Sequence, residues 1–347
     1  MSTTPQKLED ATQAYFDAAQ LSGGLSEKSV RAYAYDLGQF AAFISGKKLK
    51  DITAKDIRNY IKQMEIDGGL KPQTIRRKLM ALKAFFRHCQ DQGWIAQAPT
   101  DGVEPAKLGG AEPPRVFKPA EIRKLLECAA AFVEETQSQV TAAGGHRARL
   151  RYENALRDRA IISILFGTGV RIGELVDLNL DDLDLRRRKI HVDGKGAANR
   201  QLGYGADELV GAVQDYMKIR RPSKSKSAAL FLNRFGDRLS IFAVENLFQA
   251  IYRRCGLRRR ATPNILRHTL AVMLLQYGRS SGDLQTILGH NSTVTTQLYT
   301  KLVSRRQSKA YADMASEGWF DLTGVAESSA NGATAPAVGR KAAKPKK

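Results

Sequence analysis

The chain has 347 residues, a length typical of two domains, and its 55 Lys and Arg against 35 Asp and Glu give a formal net charge of +20. This charge favours a protein that binds nucleic acid over a protein whose charge only keeps it in solution. A hydrophobic fraction of 43% excludes wholesale disorder, and neither a membrane-spanning run nor a signal peptide is expected. The 3 scattered Cys exclude a disulfide framework and fit a reducing cytosol.

Residues 8–97 predict a first domain built from short amphipathic helices. Ser26 is the predicted N-cap of one helix, and Thr53 precedes a second, with Asp56 at the spacing of a capping box. A third helix begins near Pro72, and its polar positions carry the cations Arg76, Arg77, Lys78, Lys83 and Arg87. No acidic residue lies among them, so we expect this helix to follow DNA phosphates; an ordinary solvated face is the alternative.

The rest of the chain divides by composition. Residues 98–118 are rich in Pro and Gly and predict a linker. Residues 119–320 predict a second, mostly helical domain. Residues 321–347 consist mainly of small residues with several Lys, and predict a disordered basic tail.

Within the second domain, helical segments are predicted over 119–136, over 155–166 and from 207 to about 311. A polar stretch separates the first two. The alternating segment 183–192 and the polar stretch 199–204 predict a hairpin or small sheet. Lys195 lies between two glycines at the turn that joins them.

Several common site types are absent from the sequence. The glycines near residue 170 lack dinucleotide-fold spacing, and there is neither a P-loop, an H-E-x-x-H motif nor a serine-hydrolase elbow. We therefore expect no metal site and no cofactor.

The remaining candidates are cations beside glycine turns or helix starts. Arg171 lies in T-G-V-R-I-G-E-L and Arg267 in T-P-N-I-L-R-H-T, and L-G-H-N-S then leads to T-T-Q-L-Y. Taken one at a time, each has an ordinary structural explanation. Arg171 would pair with the nearby acid Glu174, Tyr299 would be a core residue, and His290 would be structural.

In this order and at these intervals, the segments resemble the catalytic domain of the tyrosine recombinase (phage integrase) family, which carries T-G-x-R-x-x-E-L, a Lys on a β-turn, H-x-L-R-H-T, L-G-H and T-x-x-Y. Residues 26–40 (S-x-x-S-x-x-x-Y-x-x-D-L-x-x-F) resemble the family's core-binding helices. The resemblance spans about residues 8–305. It implies a mainly α fold, with an N-terminal helical (SAM-like) core-binding domain and a mostly α catalytic domain that holds a small antiparallel β-sheet, the DNA breaking-rejoining fold.

The resemblance implies chemistry at one DNA backbone phosphate. Arg171 and Arg267 would clamp its non-bridging oxygens without a metal ion. Tyr299 would attack the phosphorus, leaving a 3′-phosphotyrosine and a free 5′-hydroxyl. The covalent link stores the phosphodiester bond, so rejoining needs no ATP.

Four other residues gain roles by the same resemblance. Lys195 would protonate the leaving 5′-oxygen, with Lys189 as a weaker competitor because it lies inside the predicted strand. His290 would hydrogen-bond the phosphate, and Glu174 would support the site.

One position departs from the family. The family usually has a histidine three residues before its second arginine, where this chain has Asn264. An amide cannot take a proton at neutral pH, so we expect slower strand cleavage. His268, next to Arg267, matches the R-H-T motif but not the usual catalytic histidine, and we expect it to be structural.

The implied function is a site-specific DNA recombinase that works through a Holliday junction, with integration, excision and resolution of a mobile element or replicon all open. The implied partners are double-stranded DNA and a homotetramer on two DNA sites, with an accessory recombinase or DNA-binding protein also open. Residues 303–320 predict a helix that either docks into a neighbouring subunit or closes its own domain. We expect a cytoplasmic, nucleoid-associated protein.

Two other functions stay open from the sequence. A type IB topoisomerase-like enzyme would share the Arg, Lys, His and Tyr chemistry, but the helical first domain argues against it. A DNA-binding or architectural protein with weakened catalysis is the other alternative, of which Asn264 would be a sign.

Overall fold

The computed structural model describes residues 5, 7–22, 27–66, 69–104, 114–193, 199–203, 207–220, 225–257, 261–276, 279–289 and 299. The chain divides into two compact units, Met1–Glu112 and Pro113–Lys347, each with its own hydrophobic core. Both are mainly helical and the second holds a three-stranded antiparallel sheet, which confirms the predicted fold class. Within these residues, no helix is long and apolar enough to cross a membrane.

The helices described in the first unit are α1 (Leu8–Leu21), α2 (Glu27–Phe43), α3 (Ala54–Ile66) and α4 (Pro72–Asp91). Phe40 and Phe86 are fully buried where α2 meets α4, and their rings pack edge to face. The predicted capping at the start of α3 is confirmed, because the Asp56 carboxylate accepts a hydrogen bond from the Thr53 backbone N–H at 2.9 Å. Ser26 lies outside the described residues.

One cation of α4 is buried instead of exposed. The Nζ of Lys78 lies 3.0 Å from Oδ1 of Asp36 and also donates to Gln39, and Lys78 and Asp36 are both almost fully buried. Arg77 donates to the same carboxylate, with Nη2 2.9 Å from Oδ1. The predicted placement of Lys78 on an exposed face is therefore wrong: a buried ammonium requires a counter-charge, and Asp36 on α2 supplies it.

The other cations of α4 remain near the surface. Arg76 and Arg87 are exposed, and Arg77 is nearly half exposed despite its ion pair. Lys83 is half-buried and pairs with Glu104 at 3.1 Å. Exposed guanidiniums on one helix are available to phosphates, whereas the ammonium of Lys83 is shared with an acid.

Both ends of the segment predicted as a linker pack into a core. Ala98 and Val103 are buried in the first unit. Phe117 is buried in the second unit, and its backbone N–H donates to Oγ1 of Thr269 at 2.9 Å. Residues 105–113 lie outside the described residues. The Pro and Gly content of the segment did not predict these anchored ends, because the anchors are single apolar residues.

The helices described in the second unit are, in chain order, α5 (Pro119–Ala143), α6 (His146–Thr168), α7 (Ile172–Asp177), α8 (Asp207–Arg220), α9 (Ile241–Arg254), α10 (Asn264–Gln276) and α11 (Ser281–Leu288). Helix α6 is central, since α5, α8 and α10 all pack against it. Its residues from 160 to 168 are all buried, so it shows no amphipathic pattern there. The helix predicted over 119–136 extends to Ala143, and α6 begins at His146, before the predicted residue 155. The polar stretch between them is therefore solvated helical surface except at Gly144 and Gly145.

The strands are β1 (Leu183–Asp184), β2 (Lys189–Val192) and β3 (Arg200–Gly203), in the order β1-β2-β3 with antiparallel pairing. The segment predicted as one alternating strand is thus two strands, separated by a turn at 185–188. In the predicted hairpin, Ile190 pairs with Leu202 and Val192 pairs with Arg200. The hairpin turn that carries Lys195 lies outside the described residues.

Residues 225–240 are not helical, contrary to the prediction of helical periodicity from 207 onward. They form isolated bridges, Asn179 with Ala229 and Leu232 with Arg238. The buried guanidinium of Arg220, at the end of α8, donates to the carbonyl oxygen of Ala229 at 2.5 Å. It therefore satisfies a backbone acceptor that a helix would have satisfied internally.

Candidate active site

Arg171 lies at the start of α7, where α6 has ended in a left-handed Gly169. Its backbone N–H donates to Oε2 of Glu174 and its Nη1 donates to Oε1, both at 2.8 Å. Its Nη2 donates to the carbonyl oxygen of Gly289 at 2.5 Å. The pairing with Glu174 that the sequence suggested is present, and it fixes the guanidinium while leaving it 42% exposed.

Arg267 lies inside α10 and is almost fully buried. Its Nη1 donates to the carbonyl oxygen of Gly169 at 2.6 Å and its Nη2 to that of Leu288 at 2.5 Å. Burial, followed by the charge of Arg171, lowers the pKa of Arg267 to about 10, so it remains a cation at neutral pH.

The two guanidiniums meet at the C-terminal end of α11. They bind the carbonyl oxygens of two consecutive residues, Leu288 and Gly289. Gly289 has a φ of 60° and ends the helix, a left-handed conformation that glycine adopts without a steric penalty. This cap turns the last carbonyls toward the arginines, so two segments of chain about a hundred residues apart form one cationic site.

Tyr299 is 1% exposed and lies in the hydrophobic core of the second unit. Its hydroxyl oxygen is 2.8 Å from Nδ1 of His268, and the two rings are tilted by 41°. Burial raises the pKa of Tyr299, although the charges of Arg267 and Arg171 oppose this rise. The structure therefore brings Tyr299 into the electrostatic field of both predicted arginines.

Arg200, at the start of β3, is a further member of the cluster that the sequence reasoning missed. It is only 7% exposed, and its Nη2 lies 2.7 Å from Oε2 of Glu174. Burial alone would raise the pKa of Glu174, but hydrogen bonds and charge from Arg200 and Arg171 hold it below its usual value. Glu174 is therefore a carboxylate held between two guanidiniums. No spacing in the sequence links it to Arg200, since only the hairpin brings them together.

The remaining predicted residues fall in three places. Asn264 is exposed at the first position of α10, and Lys189 is half-buried in β2. Lys195 and His290 lie outside the described residues. His268 contacts Tyr299, which the prediction of a structural role did not anticipate. Across the part of the chain that the structure describes, no three His, Cys, Asp or Glu side chains are grouped to hold a metal ion.

Two family models match this sequence. The phage integrase family matches residues 137–306, and the phage integrase N-terminal SAM-like domain matches residues 13–96. The tyrosine recombinase XerC of Roseiflexus castenholzii is 31% identical over 286 residues, which cover 80% of this chain and 84% of that protein. XerC of Neisseria gonorrhoeae is 31% identical over 306 residues, covering 84% and 92%.

Solved structures have the same fold. The XerH site-specific recombinase bound to palindromic difH substrate, in a post-cleavage complex, superposes with a TM-score of 0.67 at 22% identity, covering 88% of this chain and 85% of that one. A lambda integrase dimer bound to a COC′ core site gives a TM-score of 0.60 at 17% identity, covering 82% and 96%.

Proposed function

This chain belongs to the phage integrase family and is a site-specific tyrosine recombinase that cleaves and rejoins DNA, and we propose that Arg171, Arg267 and Tyr299 perform the cleavage. The observation that supports this assignment is the meeting of both guanidiniums at the end of α11, where their charges also reach Tyr299. Double-stranded DNA is the substrate.

The two guanidiniums suit the charge of the reacting group. A phosphodiester carries one negative charge, and its pentavalent transition state gathers more on the non-bridging oxygens. A guanidinium presents five N–H donors in a planar fork, and hydrogen bonds to charged oxygens are stronger than those to neutral carbonyls. A phosphate can therefore displace the carbonyls of Leu288 and Gly289, or bind through the remaining N–H groups, and be stabilised most where the charge is greatest.

Tyr299 is the proposed nucleophile. Its hydroxyl oxygen bonds to phosphorus as the bond from phosphorus to the 5′-oxygen breaks, and the product is a 3′-phosphotyrosine with a free 5′-hydroxyl. Because Tyr299 is 1% exposed, DNA binding must uncover its hydroxyl before the attack. The leaving 5′-oxygen takes a proton from Lys195, or from its competitor Lys189, and His290 hydrogen-bonds the phosphate.

Glu174 holds the site together in this proposal. It binds both the backbone and the side chain of Arg171, so it fixes the guanidinium in the orientation that a phosphate requires.

Since the phosphotyrosine bond conserves the energy of the phosphodiester, strand joining proceeds without ATP.

The exposed cations of α4 are the proposed DNA contacts of the first unit. Arg76, Arg77 and Arg87 carry this role, and Lys83 joins them when it releases Glu104. Lys78 does not, because Asp36 holds its ammonium in the core. Replacing Arg76 with Ala should weaken binding to all sequences alike and lower the salt dependence of the affinity by about one phosphate contact.

Recombination sets the proposed assembly. One tyrosine makes one cut, and exchange between two duplexes requires four cuts, so four copies act on two DNA sites. A partner recombinase or DNA-binding protein can join them, and the proposed place of action is the cytoplasm, with the nucleoid. The segment 303–320, predicted to dock into a neighbour or close its own domain, lies outside the described residues; its deletion should abolish pairing of two sites if it docks.

A suicide substrate tests the proposal. A duplex holding the chain's binding site, selected from a random pool by affinity, carries a nick so that the short 5′-hydroxyl fragment diffuses away after cleavage. The unaltered chain should accumulate a covalent DNA adduct, and Tyr299→Phe should form none. Arg171→Ala should form it about 10² to 10³ times more slowly. Tyr152→Phe, at a half-buried tyrosine of α6, is the matched control. An adduct with Tyr299→Phe would overturn the proposal.

A further inference from the structure

The contact between His268 and Tyr299 lies at the atom that must lose a proton. Nδ1 of His268 is 2.8 Å from the hydroxyl oxygen of Tyr299, with the ring centroids 5.8 Å apart. A general base must lie within hydrogen-bonding distance of the proton it removes, about 2.6 to 3.2 Å between heavy atoms. Nδ1 meets this requirement.

The position of His268 on α10 explains how it replaces a missing group. Asn264 occupies the place where the family usually carries a histidine, and its amide cannot take a proton at neutral pH. Residues four apart lie on the same face of a helix, so His268 stands one turn beyond Asn264 on the same side of α10. The R-H-T motif carries His268 in addition to the family's usual histidine, so with Asn264 in that position His268 is the imidazole of the motif that remains, and Tyr299 lies against it.

The surroundings of His268 keep its imidazole neutral, as a general base requires. Burial, and then the charge of Arg267, lower the pKa of His268 to about 4, so the imidazole is neutral and has an acceptor nitrogen in the free protein. A phosphate held by Arg267 brings a negative charge, and this charge offsets the effect of the Arg267 cation on the pKa of His268. The imidazole therefore recovers the part of its basicity that the charge of Arg267 removes, while the larger effect of burial remains.

We propose that His268 orients Tyr299 and accepts its proton during strand cleavage. The proton of the hydroxyl passes to Nδ1 while the bond from its oxygen to phosphorus forms. The bond from phosphorus to the 5′-oxygen breaks, and that oxygen takes its proton from the general acid. Joining reverses each step, so His268 returns the proton to Tyr299. This inference rests on Tyr299 being the nucleophile.

Single-turnover cleavage of the suicide substrate tests this role. His268→Gln keeps an amide that can accept a hydrogen bond from Tyr299 but cannot take a proton, and it should cleave about 10² to 10⁴ times more slowly while binding DNA normally. His191→Gln, at a half-buried histidine on β2, is the control and should keep the unaltered rate. Cleavage by His268→Gln within about threefold of the unaltered rate would overturn the inference, since proton-transfer help is worth far more.

Chemical rescue distinguishes proton transfer from positioning. In His268→Ala, added imidazoles should restore cleavage in proportion to their basicity, which a structural role would not produce. Absence of rescue, or rescue independent of the pKa of the added imidazole, would overturn the proton-acceptor role. Placing histidine at the family's position, with Asn264→His, should restore cleavage to His268→Gln. Because every variant keeps Tyr299, slow formation of the adduct bears on His268, whereas failure of the unaltered chain to form it bears on the proposed function.

Discussion

Gly289→Ala tests the close packing between Gly289 and Arg200, on which the orientation of Arg171 depends. A Cβ on Gly289 would lie 2.9 Å from Nη1 and 3.1 Å from Cζ of Arg200, and the backbone φ is +60°. An alanine in this left-handed conformation costs about 1 kcal/mol or slightly more. The guanidinium of Arg200 must also retreat by about half an ångström to reach ordinary contact distance.

That retreat weakens a buried ion pair. The distance from Arg200 to Glu174 is 2.7 Å, and half an ångström brings it to the limit of a good hydrogen bond. Buried hydrogen bonds between charged groups contribute about 1.5 to 3 kcal/mol, so their partial loss adds about 1 kcal/mol. We expect Gly289→Ala to lower the free energy of unfolding of the second unit by about 2 to 3 kcal/mol. Cleavage should slow by about tenfold, because a Glu174 carboxylate that Arg200 holds less firmly orients Arg171 less well.

The assay is urea unfolding of the full chain by circular dichroism, fitted with two transitions because the units have separate cores, together with single-turnover cleavage. Gly282→Ala in the same helix is the control, since a Cβ there meets nothing closer than Oγ of Ser280 at 3.6 Å. It should leave both quantities unchanged or raise the stability slightly. Gly289→Asn tolerates the left-handed backbone better but keeps the clash, so it should still slow cleavage. A Gly289→Ala variant as stable and as fast as the unaltered chain would show that the contact between Arg200 and Glu174 does not depend on Gly289.

Three other changes give smaller tests. Asp36→Asn leaves the buried ammonium of Lys78 without its counter-charge, and should destabilise the first unit by about 3 kcal/mol in urea unfolding; an unchanged midpoint would show that Lys78 reaches solvent. Thr269→Val leaves the buried N–H of Phe117 without an acceptor and should cost about 1 to 3 kcal/mol, whereas Thr269→Ser should cost little. Burial above all lowers the pKa of His268 from 6.5 to about 4, so the unfolded chain binds a proton between these values that the folded chain does not. Its contribution to stability is therefore present above pH 6.5 and lost as the pH falls toward 4, and His268→Gln should show a weaker decline of Tm over this range; an equal decline would contradict the assignment.

The sequence predicted those parts of the site that its motifs carry. Arg171, Arg267 and Tyr299 each lie in a recognisable segment, and the order and spacing of these segments are specific to the family. The predicted start of α3 was confirmed as well, because a capping interaction depends on residues only three apart. Local spacing is visible in a sequence.

Contacts between distant segments were not visible in the same way. Arg200 lies 26 residues from Glu174, and His268 lies 31 residues from Tyr299, and only the folded chain joins them. The burial of Lys78 could have been predicted from the sequence, since Lys78 lies three residues after one buried position of α4 and four before another. Its helical position indicated burial, while its charge suggested the surface.

The most direct test of strand cleavage by Tyr299 is to find the atom that carries the DNA. After reaction with the suicide substrate, the trapped protein is digested with nuclease and trypsin and analysed by mass spectrometry. The tryptic peptide 280–301 holds a single tyrosine, Tyr299. We expect a nucleotide on this peptide, bonded through the phenolic oxygen of Tyr299. A nucleotide on any other peptide would contradict the claim that Tyr299, together with Arg171 and Arg267, forms the site of strand cleavage.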